Sequence, residues 1–240
     1  MDADFWELHT GLPHEAPGSR ADTLRALSLT GLQGRLRVLD VACGPGAASL
    51  ALLAALPEAE VTAVDLHASF LDAAAARASE AGHADRFRCV QADMTDLPFP
   101  PESFDLIWCE GAVYILGVAA ALEAWRPLVG RGGRLAFTDA VWLTERPHPR
   151  ARRFWTEYPA MTGVAGVRAR IAGAGWRPLA DFVLAEVAWS NYYAPLADRL
   201  DRLEAARGPD APAFRASREE IAVRGAHAAD YGYAFFVAAP

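Results

Sequence analysis

Several stretches of this sequence place residues capable of chemistry directly after short apolar runs. The first is Val38-Leu39-Asp40-Val41-Ala42-Cys43-Gly44-Pro45-Gly46. Glycines after a strand let a ligand approach the backbone closely. A helix beginning at such a loop offers free N–H groups to a carboxylate or another anion. Asp40, at the end of the run, points at the same crevice. Its carboxylate would repel a pyrophosphate and attract an ammonium or a sulfonium. A tight turn between strand and helix would also use Gly-x-Gly, so the loop alone names no ligand.

Further along stand Asp65-Leu66, then Gln91-Ala92-Asp93-Met94, then Cys109-Glu110-Gly111-Ala112, and finally Asp139. Asp65 closes a second apolar run, where a carboxylate can accept both hydroxyls of a ribose. It could equally cap the next helix. Asp93 can accept from an adenine amino group, with Met94 packed on the ring. A plain loop aspartate would look the same.

These residues need elements to hold them. Leu36–Val41, Val61–Asp65, Phe87–Gln91, Asp105–Trp108 and Arg134–Thr138 read as strands, the last entered through a turn at Gly130, Gly132 and Gly133. Phe182–Trp189 and Tyr233–Ala238 read as the sixth and seventh. Helical patterns alternate with them at Ala47–Leu56, Phe70–Ala81, Gly117–Trp125 and Val164–Ala174. Strands alternating with helices of about ten residues imply βαβ units and a parallel sheet. The α/β, Rossmann-like, doubly wound arrangement then puts Asp40, Asp65, Asp93, Glu110 and Asp139 at one edge, where open sheets bind ligands, with Glu110 and Asp139 on the floor of the crevice. Residues 5–30 read as a polar segment followed by a short helix. Residues 190–230 carry two helical patterns, Pro195–Ala206 and Phe214–Ala226, and break the rhythm. We expect one domain over 1–240, with the N-terminal segment 1–33 and the insertion at about 190–230 forming a cap.

Composition narrows the function classes. The net charge is −7, and all 23 basic residues are arginine. An acidic chain argues against a nucleic-acid partner. Without lysine there is no Schiff-base lysine, P-loop lysine or lysine acid/base. Cys43, Cys89 and Cys109 form no CxxC pair, so neither a zinc site nor a disulfide framework is expected. No metal is expected. The N-terminus lacks a basic region before an apolar run, and the longest apolar stretch, Ala47–Leu56, is about half a membrane span. The expectation is a cytoplasmic protein with no membrane partner; oligomeric state stays open.

The stretches VLDVACGPG, VTAVD, QADMTDLPFPPESFDLIW and LVGRGGRLAFTD, in this order, resemble the class I S-adenosyl-L-methionine (SAM)-dependent methyltransferases over roughly residues 36–140. YGYAFFVAA looks like the antiparallel seventh strand of that fold. One departure is Ala42, where the family's loop usually has its first glycine. A narrower likeness is to small bacterial methyltransferases acting on small molecules, through Ala16-Pro17-Gly18-Ser19 and Cys109-Glu110-Gly111-Ala112. The resemblance implies a transferase with SAM as cofactor. Asp40, Ala42, Cys43, Gly44 and Gly46 would hold its methionine end and Asp65 with Leu66 its ribose. Ala92, Asp93 and Met94 would hold the adenine, and the Glu110-Gly111 backbone would lie beside the methyl.

The acceptor would be a small molecule of open chemistry. Methyl transfer from a sulfonium is in-line displacement, and the protein chiefly positions the nucleophile at about 3–3.5 Å. Candidate catalytic groups are Glu110, Asp139 and Tyr193, with Tyr114, Trp142, His148 and Tyr192 behind them. Trp142, Trp189, Tyr192 and Tyr193 could form an aromatic wall or simply core. His148 reads as an exposed loop residue. Two other readings stand beside this one. A SAM-binding regulator without transferase activity would share the cofactor half. A nicotinamide-dependent reductase would want the third glycine of GxGxxG and a Tyr-x-x-x-Lys pair, both missing here.

Overall fold

The computed structural model describes residues 3–240. It opens with α1 (Ala3–His9) and α2 (Arg20–Thr30), then β1 (Arg37–Val41), α3 (Ala47–Ala55), β2 (Glu60–Asp65) and α4 (Ala68–Glu80). Next come β3 (Phe87–Gln91), β4 (Phe104–Cys109), α5 (Val113–Leu116), α6 (Val118–Trp125) and β5 (Val129–Trp142). The chain ends with α7 (Pro149–Phe154), β6 (Thr162–Gly163), α8 (Val164–Gly173), β7 (Arg177–Val183), α9 (Glu186–Arg207), α10 (Pro212–His227) and β8 (Tyr231–Ala239).

The sheet runs β3-β2-β1-β4-β5-β8-β7, with short β6 beside β5. β1 to β5 pair in parallel, and β8 lies antiparallel between β5 and β7. This is the expected doubly wound α/β sheet. Strand residues alternate between its faces, as a period of two requires. Val38, Leu106, Trp108, Phe235 and Val237 pack on Ala26, Leu27, Leu52 and Leu53 of α2 and α3. Leu39, Ile107, Phe236 and Ala238 pack the other way, on Leu122 and Trp125 of α6 and Val167 and Ile171 of α8. Burial on both faces explains why these strands read as continuous apolar runs.

Three expectations need correction. The glycines at 130–133 do not end a turn before a short strand; they lie inside β5, where the pairing with β4 shifts register between Phe104 and Leu106. A Cβ on Gly133 would come within 2.7 Å of Val129 Cγ1 and 2.9 Å of the Asp105 carbonyl, so the irregularity needs its glycine. The sixth strand is not Phe182–Trp189. It is Arg177–Val183, paired to β8, and Glu186 already begins α9. Apolar runs of this length fit strand and helix equally, and tertiary packing decides. Pro195 does not start a helix either; it sits inside the 22-residue α9, which continues past it.

The N-terminal segment also holds more structure than expected. α1, α9 and α10 bury Leu8, Leu12, Tyr192, Leu196, Leu200 and Phe214 together, apart from the sheet's two faces. Arg207 pairs with Asp4 and Glu7, and Arg199 Nε donates to the Glu7 carbonyl at 2.7 Å, tying α9 to α1. Among the described residues no helix is long and apolar enough to cross a membrane.

Candidate active site

One cavity of about 810 Å³ opens at the C-terminal ends of β1 to β4. β1 and β4 are neighbours there although βαβ windings run away from them in opposite directions, the switch point where such sheets bind ligands. Its size falls within the ~300–1,000 Å³ of ligand pockets.

The loop after β1 is shaped by its backbone. Ala42, Gly44 and Gly46 have φ of 54°, 53° and 85°. Left-handed backbone costs an L-residue about 1–2 kcal/mol, so Ala42 adopts with strain what a glycine there would adopt freely. At Gly46 a Cβ would meet the Ala74 Cβ at 2.9 Å, so α3 and α4 approach only because none is present. Gly46 caps α3 without any side-chain hydrogen bond, and Ala47 and Ala48 line the cavity. The positive end of that helix therefore faces the space.

Asp40, Asp65 and Asp93 all line the cavity. Asp40 is buried, and its Oδ2 accepts from Ser49 Oγ at 2.5 Å. Burial pushes its pKa up to about 7, aided by the charges of Glu110 and Asp65 and opposed by the Ser49 bond. Asp65 accepts from the Gly44 N–H at 2.9 Å through Oδ2 and from the His67 N–H at 2.9 Å through Oδ1. It thus braces the loop and the start of α4, and each oxygen keeps a second lone pair. Asp93 is exposed, with Oδ1 accepting from Thr95 N at 2.8 Å and Thr95 Oγ1 at 2.7 Å. Ala42, Cys43, Gly44, Leu66, Ala92 and Met94 line the same wall, whereas Gly46 supports it from behind.

Glu110 and Gly111 join the two parts of the cavity. Glu110 Oε1 accepts from Trp108 Nε1 and from Thr23 Oγ1 of α2, both at 2.8 Å. Burial pushes its pKa up to about 7, with Asp22 adding to the rise and those two donors opposing it. The Gly111 N–H donates to Thr138 Oγ1 at 2.7 Å. Residues 16–18 lie directly over this turn: a Cβ on Gly111 would fall 2.2 Å from the Ala16 Cβ. Gly18 is held in turn by α9, its N–H donating to Ala188 O at 3.1 Å and its carbonyl accepting from Asn191 Nδ2 at 3.0 Å.

Beyond Glu110 the walls are aromatic. Trp189, Tyr192 and Tyr193 of α9 line the space with Tyr114, Trp155, Tyr158 and Tyr233. Tyr193 OH donates to Glu220 Oε1 at 3.1 Å. Asp139 does not reach the cavity. Its carboxylate is buried behind Tyr158, whose OH donates to Oδ2 at 3.0 Å, and burial lifts its pKa to about 6. Trp142 stands away from the cavity as well, and His148 is exposed, capping α7.

A family model described as a methyltransferase domain matches residues 38–133, from β1 into β5. That stretch is similar to a methyltransferase domain. Around it the whole fold has counterparts: a SAM-dependent methyltransferase from Geobacter sulfurreducens, solved with S-adenosyl-L-homocysteine (SAH), superposes with a TM-score of 0.84 over 100% of this chain and 98% of that one, at 19% identity. The 27-O-demethylrifamycin SV methyltransferase of Amycolatopsis mediterranei is 26% identical over 72% of this chain and 65% of its own length. The ubiquinone/menaquinone biosynthesis C-methyltransferase of Syntrophotalea carbinolica is 33% identical over 47% of each. The chain thus spans less than two thirds of the length of these curated relatives.

Sequence reasoning missed Glu15, Glu220, Trp155 and Tyr158, all of which line the cavity. Glu15 lies on the loop that covers Gly44, its Cγ 3.6 Å from where a Gly44 Cβ would be, and its Oε2 bonds His9 Nδ1 at 2.6 Å. No local motif marks these residues. The one available signal was the density of Trp and Tyr in two segments, 154–158 and 189–193.

Proposed function

We propose that this chain binds SAM along the ends of β1 to β4 and transfers its methyl group to a small-molecule acceptor held among the aromatic walls. The observation that carries this reading is the buried Asp40 carboxylate facing the cavity beside the uncapped N-terminus of α3. That pair complements an amino-acid zwitterion: the carboxylate attracts an ammonium, and the helix end attracts a carboxylate. Asp65 has lone pairs for two ribose hydroxyls, and Asp93 and Met94 flank the space where an adenine would lie. Bound there, SAM supplies a methyl group already activated on a sulfonium.

The chain's own task is then positioning and enclosure. Glu110 and Gly111 form the waist between the two parts, and Thr23, Ala16 and Gly18 hold a cover across it. In this reading residues 1–33 and the helices at about 190–230 act as a cap that keeps water from the site. Glu110 serves the acceptor side by fixing that cover. Tyr193 orients through Glu220, and Asp139 acts only through Tyr158. One cavity continuous from the glycine loop to the aromatic walls favours transfer over a purely regulatory role.

Calorimetry tests the first half: SAM and SAH are expected to bind, with NAD far weaker, and equal or tighter NAD binding refutes the cofactor assignment. Turnover of labelled SAM against a panel of small acceptors tests the second. Glu110→Gln should lower turnover with SAM affinity nearly intact.

A further inference from the structure

The acceptor half of the cavity is walled by a linked series of rings. Tyr114 contacts Trp155, Trp155 contacts Tyr233, and Tyr233 contacts Trp189, at centroid separations of 6.3, 6.4 and 5.5 Å. Trp189 then stacks on Tyr193 at 5.8 Å, and Tyr193 meets Tyr192 at 4.9 Å. Ring faces attract cations through their quadrupole. Trp189 already shows this with the Arg224 guanidinium, which is ion-paired to Glu186 at 2.6 Å and lies 3.9 Å from the ring centroid.

Charge points the same way. Among the described residues no arginine lines the cavity, although the chain has 23. Apart from histidines, Cys43 and the tyrosines, every ionisable lining side chain is a carboxylate. His14 is held below its ordinary range by burial and by Arg77, so it brings no positive charge at neutral pH. Two of the carboxylates belong to the aromatic part and its cover. Glu220 accepts from Tyr193 OH, and Glu15 has one buried oxygen, Oε1, without a hydrogen-bond partner. Burying carboxylates is unfavourable unless a cation or donors meet them. His9 Nδ1, 2.6 Å from Glu15 Oε2, already meets one of these carboxylates. Beyond it an anionic acceptor would face carboxylates, and a wholly apolar one would leave Glu220 desolvated on its Tyr193 bond and Glu15 Oε1 unpartnered.

We infer that the acceptor presents a positively charged amine or alkylammonium group, held by the rings around Trp189 and Tyr193 with Glu220 as its counter-charge. This rests on the methyltransferase reading above, and the experiment separates the two.

Calorimetry on SAH-saturated protein would compare three molecules of nearly equal shape: choline, 3,3-dimethylbutan-1-ol and 3,3-dimethylbutanoate. Choline should bind at least about tenfold more tightly than the neutral alcohol, in line with a desolvated cation–π contact and a nearby carboxylate. The carboxylate should bind weakest. Glu220→Gln should bring choline to within about threefold of the alcohol while SAH affinity stays unchanged, which also reports that the variant is folded. Equal or tighter binding of the alcohol or the carboxylate overturns the inference. So does failure of all three to bind while SAH binds normally, or an SAH affinity that falls with Glu220→Gln. If SAH itself does not bind the unaltered protein, the cofactor assignment is what fails.

Discussion

In the glycine-loop half of the cavity, polar side chains are held from nearby in the chain. Asp93 is fixed by Thr95, Asp40 by Ser49, and Asp65 by His67 and by Gly44 of the adjacent strand's loop. In the aromatic half, apart from Trp108 beside Glu110, the holding groups are distant. Glu110 is gripped by Thr23, 87 residues away, and Gly18 by Asn191, 173 residues away. The first half is built within β1 to β3 and the α3 and α4 helices between them. The second exists only once α1, α2, α9 and α10 have all come together over the waist.

The largest expected effect tests that contrast through two glycines. Gly111→Ala combines a left-handed φ of 75° with a Cβ 2.2 Å from Ala16. Gly44→Ala also has a left-handed φ, 53°, but its new Cβ meets only the Glu15 side chain, at an ordinary 3.6 Å to Cγ and 3.8 Å to Cβ. Left-handed backbone alone costs about 1–2 kcal/mol and overpacking about 1–3 kcal/mol more. Chemical denaturation should therefore show Gly111→Ala losing roughly 2–5 kcal/mol and Gly44→Ala clearly less. Equal losses would mean that residues 16–18 are not clamped over the waist.

Next comes Asp40→Asn. Losing a carboxylate that meets an ammonium should cost about 1.5–3 kcal/mol of binding, a roughly ten- to hundredfold weaker dissociation constant for SAM. The same change should stabilise the empty protein. Asp40 has a folded pKa raised from 3.8 to about 7. Its protonated state is therefore favoured on folding, and that contribution is present below about pH 4 and lost as pH rises through about 7. The Tm of the variant should exceed that of the unaltered protein at pH 8, and the two should converge near pH 4. For the same reason SAM affinity of the unaltered protein should fall as pH drops below about 7, with a proton released on binding. A variant less stable at pH 8 would show that Asp40 is structural.

Most of the first half was legible in the sequence, because apolar runs, glycines and the order of Asp40, Asp65 and Asp93 carry strand ends and loop together. Ala42 shows the limit of that reading: the loop shape survives the loss of a glycine at the cost of strain. The second half was legible only as an expectation of a cap. Glu15 and Glu220 carry no motif, and Asp139, expected to follow its strand as Glu110 follows β4, lies inside the longer β5, paired with Ala234. Its register alone could not tell that Tyr158 would stand in front of it. Trp189 was misassigned to a strand because an apolar run of that length has no period to betray a helix.

A smaller effect is expected at Asp65. Asp65→Ala removes acceptors for a ribose and a brace for Gly44, and should weaken SAM about tenfold, near the low end for hydrogen bonds to a charged group. An unchanged dissociation constant would leave Asp65 as a cap for the loop and α4.

The smallest effect belongs to Asp93, and it separates recognition from loop shape within the same half. Its carboxylate is held below the usual range by the Thr95 backbone and hydroxyl bonds, so it stays ionised at working pH. Both of those bonds fall on Oδ1, which leaves Oδ2 for an adenine amino group. Because Asp93 is exposed, water competes for that contact, and Asp93→Ala should weaken SAH binding only about threefold. Loosening of the 93–95 turn could produce a change of that size without any contact to adenine. S-inosylhomocysteine, which has a carbonyl in place of the amino group, distinguishes the two. The unaltered protein should prefer SAH over the inosine compound, and Asp93→Ala should erase that preference, a coupling that two independent effects would not show. If the substitution weakens both ligands by the same factor, Asp93 shapes the turn and the adenine is read elsewhere.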